Sequence, residues 1–126
     1  MLLITYNLLS INTSLVVTAG SKEILSGTDS VVISCKVTGL TKTARVKWEN
    51  SGGTDVKDLA DYTVAEGQFN GGTQTTPLTV AKAQTTADSN YNCVITPASP
   101  DDTTVITTTV NLNVFSKFDF YVIYSS

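Results

Sequence analysis

The chain contains no histidine, and this absence removes several kinds of chemistry. Histidine is the commonest general base, a frequent metal ligand and the side chain that changes charge near neutral pH. Without it, no serine or threonine can be activated by an imidazole, and the two cysteines cannot complete a structural zinc site of four Cys or His ligands. Phosphate-binding loops and dinucleotide-binding motifs are also missing. We therefore predict that the chain is not an enzyme and that it binds no cofactor and no metal.

Charged residues are scarce as well, and this limits the partners that the chain can have. They make up 15% of the 126 residues, and the formal net charge is −3. A domain that binds nucleic acid or an anionic membrane surface needs a basic patch, so we expect neither partner. The apolar stretch near the N-terminus is interrupted by polar residues and is shorter than the ~20 apolar residues that a membrane-spanning helix takes. We predict no membrane span in this chain.

Valine, isoleucine and threonine are abundant, and they favour strands because they pack well on a pleated surface. The length suits one domain of about 100 residues with short extensions. Alternating apolar and polar residues, separated by turn residues, recur every eight to twelve positions, which is the spacing of an all-β sandwich. The predicted strands cover residues 15–17, 22–26, 30–38, 44–49, 75–81, 90–96 and 105–114, with two short strands between 55 and 66.

Two of these segments are less regular than the rest. Between residues 55 and 66, the expected inward-facing side chains are Leu59, Tyr62 and Val64. Pro77 falls inside a predicted strand, although proline cannot donate to a strand ladder. It is tolerated mainly on edge strands or at bulges, and we expect one of these settings for it.

The most specific pattern is a single tryptophan between the two cysteines. Trp48 comes thirteen residues after Cys35, and a tyrosine stands two residues before Cys93. Two apolar residues lie fifteen and thirteen residues before Cys93, in the run Leu-Thr-Val. The residues that carry the pattern are Cys35, Trp48, Leu78, Val80, Asp88, Tyr91 and Cys93.

With these residues the chain resembles an immunoglobulin-like domain over residues 14–115, about four-fifths of its length. The cysteine separation is shorter than in most antigen-receptor variable domains, and the last predicted strand lacks their Gly-x-Gly bulge. An I-type or intermediate set is therefore the closer resemblance. In that family an aspartate usually stands six residues before the second cysteine, where this chain has Ala87, and Asp88 follows one place late. No arginine occurs near residues 62–69, so we do not expect the family's usual Asp–Arg ion pair.

The resemblance implies an all-β, two-sheet antiparallel Greek-key sandwich with one disulfide between the sheets. It pairs Cys35 with Cys93, packs Trp48 on that disulfide and makes Tyr91 the tyrosine corner. It also implies an extracellular protein, secreted or part of a cell-surface ectodomain, because disulfides persist in oxidising compartments. The structural core residues that it implies are Trp48, Leu78, Val80 and Tyr91.

The segments outside the predicted domain allow more than one interpretation. Val17-Thr18-Ala19 would suit a signal-peptide cleavage site, but residues 15–17 also read as a first strand. Whether residues 1–19 are a signal peptide therefore stays open. The predicted organisation is a leader or disordered tail over 1–13, the immunoglobulin-like domain over 14–115, and a tail, linker or truncated end over 116–126.

Candidate partner-binding residues lie in two loops, 39–44 and 97–104, which the resemblance places side by side at one end of the sandwich. Loops on a rigid scaffold commonly carry binding residues. The alternative is charge compensation between the two loops without any partner. The candidates are Lys42, Arg45, Asp101 and Asp102.

Two further groups of residues are weaker candidates for a binding site. Asp55, Asp58 and Asp61 recur at three-residue spacing, as calcium ligands can, but a solvated turn region is the preferred interpretation. A polar sheet face could make a weak, wet adhesive contact, or could be solvent-facing only. Its predicted members are Arg45, Lys47, Glu49, Asn92, Val94, Thr96, Asn111 and Asn113.

The leading prediction for function is an extracellular binding module for cell adhesion or for recognition of a protein or glycan partner. The contact would use a sheet face or the two end loops. The alternative is a structural spacer in a tandem array, with neighbouring immunoglobulin-like domains and no specific ligand. A third possibility is a fragment without an independent function.

Overall fold

The structure is a computed structural model, and it describes residues 15–98 and 104–116. These residues form nine strands and one 3₁₀ turn, Lys82–Gln84. The predicted leader or tail at residues 1–13, the candidates Asp101 and Asp102, and residues 117–126 lie outside the described residues. The strands are β1 Val16–Thr18, β2 Lys22–Leu25, β3 Ser30–Thr38, β4 Arg45–Asn50, β5 Tyr62–Val64, β6 Gln68–Asn70, β7 Thr73–Ala81, β8 Ser89–Thr96 and β9 Ile106–Phe115.

The strands form two sheets packed face to face. One sheet has the order β1-β3-β7-β5, with β6 also pairing with β7, and the other has the order β2-β9-β8-β4. This confirms the predicted all-β, two-sheet sandwich. One pair differs from a fully antiparallel arrangement, because β2 runs parallel to β9. After β1 the chain crosses to the other sheet near Gly20 and continues as β2, which brings it alongside the last strand.

Side chains that point alternately inward and outward along the strands form the core. In β3 and β7 every second side chain is buried, as expected for strands with one face on the core and one face in water. The Cys35–Cys93 disulfide joins β3 in one sheet to β8 in the other and spans 58 residues of sequence. Each core residue that the resemblance implied is at most 1% exposed: Trp48, Leu78, Val80 and Tyr91.

The segment after β4 differs from the sequence prediction. It contains one strand, β5, where two were expected, and Leu59 is 39% exposed while Val56 is fully buried. The Asn50 side chain accepts hydrogen bonds from the backbone N–H groups of Gly52 and Thr54. The Val56 N–H then donates to the Trp48 carbonyl at 3.0 Å. Such local side-chain bonding competes with strand formation, and here it turns Val56 instead of Leu59 toward the core.

Two of the three aspartates proposed as calcium ligands accept hydrogen bonds within the protein. The Asp55 carboxylate accepts a hydrogen bond from the Lys57 N–H at 2.9 Å, and Asp61 accepts one from the Gln84 amide at 2.9 Å. Among residues 15–98 and 104–116, no three Asp, Glu, Cys or His side chains are grouped so that they could hold a metal ion.

Pro77 lies in the interior of β7, opposite a bulge in the neighbouring strands. Val64 of β5 pairs with Leu78, and Gln68 of β6 pairs with Thr75. The four residue steps from Val64 to Gln68 therefore lie opposite only three steps in β7, which is one extra residue, as in a bulge. The Pro77 carbonyl accepts a hydrogen bond from the Ala65 N–H at 3.3 Å. The missing proline N–H therefore falls at the interruption between β5 and β6, where a ladder bond is not required.

The Tyr91 hydroxyl has partners other than those of a tyrosine corner, in which it would bond to upstream backbone. It lies 3.2 Å from the Tyr62 hydroxyl and accepts from the Ser89 hydroxyl at 3.2 Å. The Tyr62 and Tyr91 rings meet edge to face, with centroids 5.7 Å apart. Asp88 accepts a hydrogen bond from the Val114 N–H, at 2.6 Å, which ties the start of β8 to the end of β9.

We expect alkaline pH to weaken the domain through Tyr62. Burial raises the pKa of the Tyr62 phenol well above 10, and its hydrogen bond with Tyr91 raises it further. Because the folded pKa exceeds the unfolded one, the associated stability is complete below about pH 10 and is lost as the pH rises through the folded pKa. Urea midpoints measured at pH 8, 10 and 11 should fall less steeply for Tyr62→Phe than for the unsubstituted chain. Parallel declines of the urea midpoint in the two proteins would contradict this.

Candidate partner-binding site

Three cavities meet at Arg45, the first residue of β4. One, of about 370 Å³, lies between residues 43–45 and residues 96–98, so the described part of the second predicted loop does approach the first. The second, of about 630 Å³, is a groove between the start of β4 and the bulge that separates β5 from β6. The third, of about 150 Å³, continues along β4 toward Trp48. Arg45 contributes to all three.

A buried glutamine fixes the loop that carries this site. Gln74 is 2% exposed, and its Oε1 accepts a hydrogen bond from the Ala44 N–H at 2.7 Å while its Nε2 donates to the Ala44 carbonyl at 2.9 Å. Both backbone groups of Ala44 are therefore bonded by one side chain from the opposite sheet. This side chain holds the backbone immediately before Arg45 and closes that part of the free edge of β4.

Two glycines allow the close contacts around the loop. A Cβ atom at Gly67 would lie 2.7 Å from Gln74 Nε2 and 2.7 Å from Thr76 Oγ1, so a larger residue would displace both side chains. Gly72 has a φ of +86° and its carbonyl accepts hydrogen bonds from the N–H groups of Gly39 and Leu40. These contacts anchor the 39–44 loop to the turn between β6 and β7.

The groove carries more positive than negative charge. Arg45 and Lys57 line it together with one carboxylate, Glu66. Within the described residues, the ion pairs are Lys47–Glu49 at 3.1 Å and Lys82–Asp29 at 3.8 Å, so neither groove cation takes part in one. Lys42 is exposed in the adjoining loop. Whether Asp101 or Asp102 approaches these cations stays a prediction, because both fall outside the described residues.

Two buried polar groups beside the cavities lack a partner within residues 15–98 and 104–116. Thr76 Oγ1 belongs to the wall of the groove, and Trp48 Nε1 belongs to a residue that lines the smallest cavity. Thr76 is 3% exposed. Buried side-chain polar atoms nearly always have a hydrogen-bond partner, so these two atoms are exceptions within the core.

The polar sheet face has the predicted members, and much of its polarity is paired internally. Lys47 bonds to Glu49, and the Thr109 hydroxyl donates to the Asn92 side chain at 2.9 Å. Val94 is only partly exposed. An internally paired, flat surface is less suited to a specific contact than the concave surface around Arg45.

Sequence reasoning missed Lys57, Glu66, Gln74 and Thr76 as residues of this site. A signal was present for two of them, because Gln74 and Thr76 occupy inward positions in the same alternation as Leu78 and Val80. A polar side chain at an inward strand position needs a partner, and its presence indicates a special contact.

The comparisons with known proteins bear on the fold. No protein-family model matches the chain, and no curated protein matches it. Among solved structures, the N-terminal eight Ig domains of Down Syndrome Cell Adhesion Molecule (DSCAM) are similar with a TM-score of 0.61 and 21% identity, over 81% of this chain and 12% of that one. The chain thus spans about an eighth of the DSCAM fragment.

Two single domains are similar over nearly their whole length. The IgNAR antibody domain C3 gives a TM-score of 0.51 at 16% identity, over 79% of this chain and 94% of that one. The BIgI domain of the beta protein from S. agalactiae, bound to CEACAM1, gives 0.52 at 10% identity, over 82% and 99%. The chain therefore has an immunoglobulin-like fold, a two-sheet sandwich with its disulfide between the sheets. No helix among the described residues is long and apolar enough to cross a membrane.

Proposed function

We propose that the chain is an extracellular recognition module of the adhesion type, and that it contacts its partner at the end of the sandwich around Arg45. The observation that carries the proposal is the meeting of three cavities at an arginine that has no ion pair within the described residues. Arginine is enriched among the residues that dominate binding energy at protein interfaces, and Arg45 is exposed and accessible to a partner. The clamped Ala44 backbone presents it from a rigid scaffold.

The disulfide supports the proposed location, because such bonds form and persist outside the reducing cytosol. The similar structures support the proposed role. One is described as part of a cell adhesion molecule, and another as a domain bound to CEACAM1. An enzymatic role finds no support in this site, where the described titratable groups are Arg45, Lys57 and Glu66 without a neighbouring nucleophile–base pair.

A spacer in a tandem array is the second candidate, and one observation favours it. Strands β2 and β9 run parallel, so the chain passes into the domain at one end and out of it at the other. A spacer in a tandem array requires that the chain enter and leave the domain at opposite ends. It does not require a cationic groove, and for that reason we rank recognition first.

A multivalent form of the domain tests the two roles. A streptavidin tetramer of the biotinylated chain should bind members of an array of secreted proteins, cell-surface ectodomains and glycans. Arg45→Glu should weaken that binding by about tenfold or more, in the range typical of interface arginines. Lys36→Glu is the matched control, because Lys36 is exposed on β3 in the opposite sheet, and it should leave binding unchanged. An absence of binding, or an equal loss in both variants, would contradict the proposal and favour the spacer.

A further inference from the structure

The groove between β4 and the β5–β6 bulge has the size of a small-ligand site. Its volume of about 630 Å³ lies within the ~300–1,000 Å³ that such sites occupy. One wall is formed by residues 43–46 with Lys57, the other by residues 64–67, and Gln74 and Thr76 also line it. A monosaccharide or another compact molecule has a size that suits this space.

The charges of the groove select an anion. Two cations, Arg45 and Lys57, face one carboxylate, Glu66, which leaves a local excess of one positive charge in a chain whose net charge is −3. An arginine binds a carboxylate through two parallel hydrogen bonds, which a neutral ligand cannot replace.

The remaining polar groups of the groove suit a ligand that carries hydroxyl groups. The exposed side chain of Thr43 lines the wall that carries Arg45, and its hydroxyl can both donate and accept a hydrogen bond. The backbone of Val46 also faces the groove, because ladder bonds alternate along a strand and both Ala44 and Trp48 direct their backbone groups away from β8. Donors and acceptors are thus mixed around the cavity, as hydroxyl groups require.

The same edge of β4 is unsuited to an added peptide strand. Gln74 occupies the backbone groups of Ala44, and the Val56 N–H occupies the carbonyl of Trp48. Only Val46 between them is left to pair, and one residue gives too few ladder bonds for strand addition. The groove therefore favours a compact ligand over an extended chain.

We infer that this groove binds a carboxylated monosaccharide unit of a glycan, a uronic or sialic acid residue. Arg45 and Lys57 contact the carboxylate, the Thr43 hydroxyl and the Val46 backbone contact ring hydroxyls, and the side chains of Val46 and Val64 pack on the ring carbons. The inference rests on the proposed recognition function and deepens it by giving the ligand class.

Matched small ligands test the inference on the full chain. Methyl β-glucuronide and methyl β-glucoside differ only in carrying a carboxylate or a hydroxymethyl group, and a methyl α-sialoside distinguishes the two sources of acidic sugar. In ¹H–¹⁵N NMR titrations we expect one or both acids to shift the amides of Val46, Lys57 and residues 64–67, with a dissociation constant on the order of 1 mM. The glucoside, and acetate at equal concentration, should bind at least about tenfold more weakly.

Variants complete the test. Arg45→Gln should weaken binding of the acidic sugar by about tenfold, and Lys36→Gln should not change it. Equal responses to glucuronide and glucoside, or to glucuronide and acetate, would overturn the inference.

The titration also separates this inference from the proposed function. If Arg45→Glu abolishes binding on the array while no acidic sugar shifts the groove amides, the inference fails and the recognition function stands. If neither the array nor the titration gives binding, both fail.

Discussion

Replacing Cys35 and Cys93 together by alanine is expected to lower the free energy of unfolding by about 4 kcal/mol. The bond closes a segment of 58 residues, and in the chain-entropy model a loop of this length restricts the unfolded chain by about that amount. It also links β3 to β8 at the centre of the buried core, where each cysteine is at most 2% exposed. Small domains have only about 5–15 kcal/mol of stability, so the reduced protein should be marginal or unfolded.

Urea unfolding of the oxidised chain, the chain in reductant and the double alanine variant measures this effect. The first should have a clearly higher midpoint than the other two, which should agree with each other. Reductant should leave the double variant unchanged, which controls for effects of the reagent. If complete reduction left the urea midpoint of the unsubstituted chain unchanged, the prediction would be wrong.

Replacing Gln74 by alanine is expected to lower the free energy of unfolding by about 3 kcal/mol. The substitution leaves the N–H and the carbonyl of Ala44 without their partner in a buried place, and each such group costs about 1–3 kcal/mol. Ala44, at the end of the 39–44 loop, would then lose its hydrogen bonds to β7. We therefore expect the Ala44 amide to exchange its hydrogen much faster, and the position of Arg45 to become less defined.

Gln68 provides the matched control for this substitution. It is a glutamine on β6, close in sequence but exposed, and Gln68→Ala should change stability by at most about 0.5 kcal/mol. Chemical unfolding and hydrogen exchange of both variants give the comparison. Equal stabilities for the two would show that the buried amide contributes nothing particular.

The sandwich could be predicted from the sequence because its strands alternate strongly. In β3, residues 31, 33, 35 and 37 are buried and their neighbours are exposed, so a period of two is sufficient evidence. The segment between Asn50 and Tyr62 was harder, because its conformation depends on side-chain-to-backbone bonds that have no periodic signature. Leu59 was accordingly expected inward where Val56 is buried.

The candidate site could be predicted only at Arg45. Its position at the start of a strand beside an end loop was visible in the sequence, whereas Lys57 and Glu66 reach the groove through the bulge between β5 and β6. A bulge changes which residues face each other by one position, and only Gly67 and Pro77 gave a local hint of it. The parallel pairing of β2 likewise depends on where the chain crosses between sheets, which alternation does not encode.

That parallel pairing has a mechanical consequence. Residues Lys22 to Leu25 lie beside Leu112 to Phe115 in the same direction, so tension applied along the strands pulls the start of β2 and the end of β9 away from each other. The two strands are then loaded in shear, and the hydrogen bonds between them bear the force together instead of breaking one after another as in a peeled hairpin. A sandwich paired in this way therefore resists extension between these two strands more strongly than one in which they form a hairpin.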